Sequence, residues 1–456
     1  MTWDWAGSGT GASKKGADLL ERLVAHGARG VRVRRLGGDR AGEMRITRFL
    51  RNPAVTLDEM TGTAFARTEA ACAGRDVLAV QDTPVTEGVT RSAGGGGSYL
   101  HATIAVDASS GTVLGALDAQ FLERSEGGTA SRRERAFEDR ESARWLAAAV
   151  RAGELRGAAR VTVVADREAD IFELFARRPA HVEIVVRALH DRVLAGGGRL
   201  AGAIGQSPCL GHAALDLPAR PGVPARTARL AIRFGRLELP PPRESRKAGA
   251  GPVAMTYVDL CEETPPEGVT PVHWRLLTTC PVETVADALD IAGRYARRWK
   301  IEELFRTSNR RFAFGETKRK GFDIEALRIG EEAPRNRLIL ACLLAATVVL
   351  QMVAERDGGS DGRALRPLTD AFDPEDQPLL EAVSRDLEGR TQRQKNPHSR
   401  GSLAFATWVC ARLGGWTGYY GKPGPIVILS GWTEFQSLKH GAHLALHIAK
   451  PNPSDV

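Results

Sequence analysis

The stretch Val161-Thr162-Val163-Val164-Ala165-Asp166-Arg167-Glu168-Ala169-Asp170-Ile171 decides how the rest of the chain is read. Residues 161–165 are apolar or β-branched without interruption and read as a strand, which Asp166 ends. A helix is expected over 171–176 and a further strand over 182–186. Upstream, 142–150 reads as a helix, and 76–80, 102–106 and 113–117 read as strands. Three consecutive strands followed by strands separated by helices predict an α/β fold: a mixed sheet with helices packed on it. The glycine run 94–97 lies between two strands. It lacks the Lys-Ser/Thr and the following helix of a phosphate-binding loop, so it reads as a hairpin turn.

Beyond 190 the pattern changes. Residues 229–239, 252–260 and 272–278 are strand-like and separated by Gly/Pro-rich loops, which predicts an antiparallel β insertion over about 190–280. Long helices are expected over 285–306 and 334–356. A polar segment, 357–376, leads to a helical C-terminal region with Trp408, Trp416 and Trp432. Residues 1–60 are polar and helix-leaning, with one amphipathic stripe at Leu19, Leu20, Leu23 and Val24 and eight arginines between 29 and 51. The expected division is a helical region over 1–70, a core over 71–360 and a helical region over 361–456.

Composition narrows the function classes. The 456 residues are 43% hydrophobic and 26% charged, with a net charge of +8 and a pI near 9.3. This balance favours nucleic acid or another anionic surface as partner. Six scattered cysteines form no Cys-x-x-Cys pair, which fits a reducing cytosol better than a disulfide framework or a zinc ribbon. No basic-then-apolar leader opens the sequence, and the most apolar run, 338–350, stops at Gln351, short of a bilayer span. A cytoplasmic protein is therefore expected.

Three acidic residues hold strategic positions. Asp82 follows the strand 76–80, Asp166 ends the strand 161–165, and Glu302 lies on the expected helix 285–306. Strand C-terminal ends in an α/β sheet converge on one edge, so two such aspartates can be neighbours. A helix-borne carboxylate beside them completes a hard-oxygen site suited to Mg²⁺. Carboxylates at strand ends also serve merely to cap helices. Tyr295, Arg298 and Glu302 are spaced i, i+3, i+7, one helical face that Arg306 continues. An Arg one turn before an acid suits a phosphate backbone, and equally an ordinary surface ion pair. His440, His443 and His447 share a helical spacing that can gather a metal, but neither an acid nor a cysteine stands near them in the sequence.

These strings resemble the DDE transposases of the insertion-sequence-four family, in the subgroup of the cut-and-paste enzyme from the kanamycin-resistance composite transposon. The matching segments are Val80-Gln81-Asp82-Thr83, Glu141-Ser142-Ala143-Arg144-Trp145-Leu146, Asp166-Arg167-Glu168-Ala169-Asp170-Ile171, Val185-Val186-Arg187 and Trp274-Arg275-Leu276-Leu277-Thr278. Tyr295-x-x-Arg298-Trp299-Lys300-Ile301-Glu302-Glu303, Arg412-Leu413-Gly414-Gly415-Trp416 and Lys422-Pro423-Gly424-Pro425 follow in order. The resemblance spans roughly 41–440. It implies an RNase H-like catalytic core with a β-rich insertion, in which Asp82, Asp166 and Glu302 hold Mg²⁺, with Mn²⁺ as a substitute. It also implies that Tyr295 and Arg298 contact phosphate, that Trp274 stacks on a flipped base, and that Arg187 contacts DNA. The implied partners are double-stranded DNA, both the element's terminal inverted repeats and its target, bound in part by the shortened end-binding region 1–70, and a second copy of the chain on that DNA, paired through the dimerisation region 361–456. The implied location is the bacterial cytoplasm, at the nucleoid.

Two departures from the family pattern stand out. The family has a Lys seven residues after the Glu, where this chain has Asn309; Lys318 or Lys320 is the candidate replacement, beyond the inserted segment 308–317. The N-terminal part is short, with only Arg48-Phe49-Leu50-Arg51-Asn52-Pro53 resembling the family's end-binding domain. Two function classes follow: a metal-dependent transposase, or a decayed or domesticated transposase that binds DNA or partner subunits without cutting.

Overall fold

In a computed structural model, the structure describes residues 10–28, 30–84, 98–123, 137–217, 224–308, 322, 324, 327, 329–358, 365–419 and 421–448. Four helices precede the first strand: α1 (Thr10–Gly27), α2 (Val33–Gly37), α3 (Arg40–Arg51) and α4 (Leu57–Cys72). Asp39 caps α3 by accepting from the Gly42 amide at 2.6 Å, and Thr56 caps α4 by accepting from Glu59 at 3.1 Å. The close approach of the end of α2 to the first turn of α3 requires glycine, because a Cβ on Gly42 would stand 2.0 Å from the Gly37 carbonyl oxygen. The stripe Leu19, Leu20, Leu23 and Val24 is fully buried.

The centre is an α/β arrangement. In chain order come β1 (Asp76–Asp82), β2 (Ser98–Asp107), β3 (Val113–Glu123), α5 (Ala143–Ala152), β4 (Arg160–Ala165), α6 (Phe172–Arg177), β5 (Val182–Arg187) and α7 (Leu200–Gln206). They are followed by β6 (Gly211–Leu217), β7 (Arg226–Leu239), α8 (Arg243–Lys247), β8 (Val253–Glu262) and β9 (His273–Thr278). All nine strands form one mixed sheet in the order β3-β2-β1-β4-β5-β9-β8-β7-β6. Strands β1, β4 and β5 run parallel, while β2 and β3 form an antiparallel meander on one side. The insertion is antiparallel, as expected, and its strands continue the central sheet, because β9 pairs with β5 through Val186↔Leu277. Strand β6 was not expected; its sequence alternates half-buried with exposed residues and offers no apolar run.

Period-two alternation splits the core in two. Leu78, Val80, Val164, Val185 and Leu276 face one layer, built largely from α11 (Glu332–Glu355) and its neighbours. Val77, Ala79, Val163, Val186 and Leu277 face the other, with Trp145, Phe172 and Phe175. By length and composition α11 could cross a membrane, yet 94% of its apolar stretch is buried within the fold. Helices α12 (Gln377–Leu387), α13 (Leu403–Leu413) and α14 (Pro425–Ile448) complete the C-terminal part. Trp408 and Trp432 are buried there.

The helix expected over 285–306 is two helices, α9 (Val285–Ala296) and α10 (Trp299–Ser308). At the joint the Arg298 amide bonds the Tyr295 carbonyl and the Ile301 amide bonds the Arg298 carbonyl, three residues back in each case. These short-range bonds tighten the turn and redirect the chain. The glycine run 94–97 lies outside the described residues.

Candidate active site

Strands β1 and β4 lie side by side with Val80 opposite Val164, so their C-terminal ends meet at one edge of the sheet. Asp82 closes β1 on the same face as Leu78 and Val80. Asp166 is the first residue after β4 and caps a single 3₁₀ turn, accepting from the Glu168 amide at 2.8 Å. Glu302 sits in the first turn of α10, which packs over that face.

Arg298, in the joint between α9 and α10, links the helix to the strand. Its guanidinium lies 3.4 Å from Asp82 Oδ2 and 2.5 Å from Glu302 Oε1. Burial pushes the Asp82 carboxyl up to about 6; Arg298 opposes the shift, Asp166 and Glu302 add to it, and the Thr83 amide opposes it. The structure thus groups Asp82, Asp166, Glu302 and Arg298 in one partly buried site. The three carboxylates offer only hard oxygens, the donor type that suits Mg²⁺ completed by water and substrate phosphate. Among the described residues, no three His, Cys, Asp or Glu side chains form a group that could hold a metal ion. Arg298 stands between two of the three carboxylates and supplies the countercharge there.

The remaining expected residues are arranged around this group. Tyr295 is buried at the end of α9 and meets Trp274 edge-on, ring centroids 5.6 Å apart. Trp274 is only half-buried. It extends from β9 on the core face that Asp82 shares and packs against the layer there. Arg187 ends β5 and donates to the His273 carbonyl at 3.0 Å. Arg306 lies over the exposed Trp299 ring at 4.3 Å. Asn309, Lys318 and Lys320 lie outside the described residues. His440 and His443 are exposed on α14.

A second group of residues, absent from the sequence-based site, surrounds the aspartates. Thr83 donates its amide to Asp82 at 2.8 Å. Its hydroxyl lies 2.8 Å from Nδ1 of His101, a fully buried imidazole that burial, and then Arg144, push down to about 3, so the ring is neutral at physiological pH. Arg144, on α5, reaches Thr83 and Glu168. The only sequence signal for it was its place in the segment 141–146. No family model matches the sequence.

Proposed function

We propose that this chain is a DNA transposase of the DDE type, an enzyme that cleaves at element ends and joins the freed 3′-hydroxyls to target DNA. The observation that carries the reading is the meeting of Asp82 and Asp166 at the ends of adjacent parallel strands, with Glu302 brought to them through Arg298. Support for an RNase H-like core comes from the sheet, in which the antiparallel meander β3-β2-β1 continues into parallel β4 and β5. The half-buried Trp274, which meets Tyr295 edge-on, is the side chain this reading assigns to stacking on an unpaired base. The basic balance of the chain suits double-stranded DNA; two copies of the protein on that DNA, and a place in the bacterial cytoplasm at the nucleoid, are what the resemblance adds to this reading.

In this reading Asp82, Asp166 and Glu302 hold Mg²⁺ or Mn²⁺. When bound, the metal lowers the pKa of attacking water and neutralises charge on the phosphate. The protein's own groups do the rest. The carboxylates fix where the scissile phosphate can sit, since only the cation-bearing edge tolerates its charge. Arg298, with a planar fork of donors, passes from carboxylates to phosphate oxygens as DNA arrives. Water adds to phosphorus as the bond to the 3′ oxygen breaks and that oxygen takes up a proton. The resulting 3′-hydroxyl attacks the target strand in the second displacement.

Asn309 in place of the family's Lys favours a second reading, a derivative that binds DNA without cutting. One experiment separates the two. Linear DNA carrying the inverted repeats that flank the gene is incubated with protein and Mg²⁺ or Mn²⁺. The enzyme reading expects nicks at the repeat ends with free 3′-hydroxyls, lost in Asp82→Asn and Glu302→Gln proteins that still bind the DNA. Specific binding with no cleavage in either metal would overturn it in favour of the binder.

A further inference from the structure

Asp82 and Asp166 are each held by the backbone amide of a nearby residue, Thr83 at 2.8 Å and Glu168 at 2.8 Å. The side chains of those two residues converge on one guanidinium. Arg144 Nε donates to the Thr83 hydroxyl at 3.1 Å, and Nη2 donates to Glu168 Oε2 at 2.9 Å. Nη1 donates to the Glu141 carbonyl at 2.7 Å, which anchors the group to the start of α5. The side chain is only 12% exposed and touches neither aspartate by hydrogen bond. Its planar fork fixes the directions of all three bonds at once, which a lysine cannot do.

We infer that Arg144 is a positioning residue, a strap that holds the Thr83 and Glu168 amides, and through them the Asp82 and Asp166 carboxylates, at a fixed separation. The inference rests on the proposed metal-dependent reading for its purpose, but its geometry stands without a metal. Groups that orient metal ligands in this way are typically worth 10–100-fold in metal affinity or activity.

The test uses the full-length protein and variants Arg144→Ala, Arg144→Lys, Thr83→Val and Glu168→Ala, with two readouts. In metal-free protein, site-resolved amide exchange should show faster exchange at Thr83 and Glu168 in Arg144→Ala, with Val80 and Val164 unchanged. Mn²⁺ affinity, followed by electron paramagnetic resonance, should fall about 10-fold or more in Arg144→Ala. Arg144→Lys should recover little of it, and added methylguanidinium should restore part. Thr83→Val and Glu168→Ala should each weaken Mn²⁺ binding in the parent and add nothing in the Arg144→Ala background. Unchanged exchange at Thr83 and Glu168, or additive losses in that background, would overturn the strap. If Arg144→Ala does not fold, Thr83→Val and Glu168→Ala decide: each must loosen the amide of the other residue. A parent that binds no Mn²⁺ while the exchange effect holds would sink the metal reading and leave the strap standing.

Discussion

Asp82 is a partly buried acid beside two other acids, with Arg298 as its countercharge. Its carboxyl rises from 3.8 to about 6. Between those values the folded chain holds a proton that the unfolded chain has released, so stability falls as pH climbs from about 4 to about 6. Above pH 6 the full penalty remains, about 3 kcal/mol at roughly 1.36 kcal/mol per pKa unit. Asp82→Asn should therefore stabilise the metal-free protein by about 1–3 kcal/mol at pH 8 and by nothing measurable at pH 4. Urea unfolding of both proteins at the two pH values measures this, and equal stability at pH 8 would refute it. The same residue shows what a sequence reveals. Asp82, Asp166 and Glu302 stood out because each ends a strand or lies on a helix whose local pattern is visible. Arg144 did not, because its partners Thr83 and Glu168 are 61 and 24 residues away.

At the scale of elements, the joint between α9 and α10 decides where Arg298 and Glu302 fall. No Gly or Pro marks that joint, so periodicity read one helix where tertiary contacts make two. On the α9 side the fixing group is Arg294, which forms a two-pronged pair with Asp76 at 2.9 and 2.6 Å, another bond to Asp290 at 2.7 Å, and a longer one to Thr162 at 3.4 Å. Its pKa lies above the usual arginine value because of the Asp76 bonds, against the opposing effect of burial. The pair pins α9 across the starts of β1 and β4, so that the chain reaches their far ends when α10 begins. Arg294→Ala should cost about 3 kcal/mol, the lower end for a broken buried pair, because Asp76 is one-third exposed and can be hydrated. Arg294→Met combined with Asp76→Leu should recover most of that loss. Urea midpoints test both, and a single-variant loss below about 1 kcal/mol would show that the pair does not position α9. The strands of the insertion were legible as antiparallel. Their fusion to the central sheet was not, since the pairing of β9 with β5 joins Leu277 to Val186 across most of a hundred residues.

Over the whole molecule, the three regions expected from the sequence share one continuous core, from Leu19 in α1 through Leu338 in α11 to Phe435 in α14. The seams are specific. The Thr433 hydroxyl donates to the Val24 carbonyl at 2.9 Å, Arg337 donates to the Leu50 carbonyl, and Phe372 meets Trp432 and Phe435 at 5.4 and 5.7 Å. Removing 361–456 would strip these side chains from the layer that α11 presents to the sheet, so the truncated chain should not keep the carboxylate site intact. The buried tryptophans Trp408 and Trp432 hold the monomer together, and any pairing of two subunits on DNA has to use other surface. Trp432→Ala should cost about 3–5 kcal/mol, the usual range for deleting a buried large aromatic side chain. Because the core is continuous, that loss should reach β1 and β4 and not stay in α14. Amide exchange under conditions where the slowest sites open by global unfolding gives the answer: Val80 and Val164 should accelerate together with the α14 amides. If α14 loosened while those strand amides kept their parent rates, the C-terminal helices would be a separate cooperative unit, and deletion of 361–456 would leave the acidic site in place.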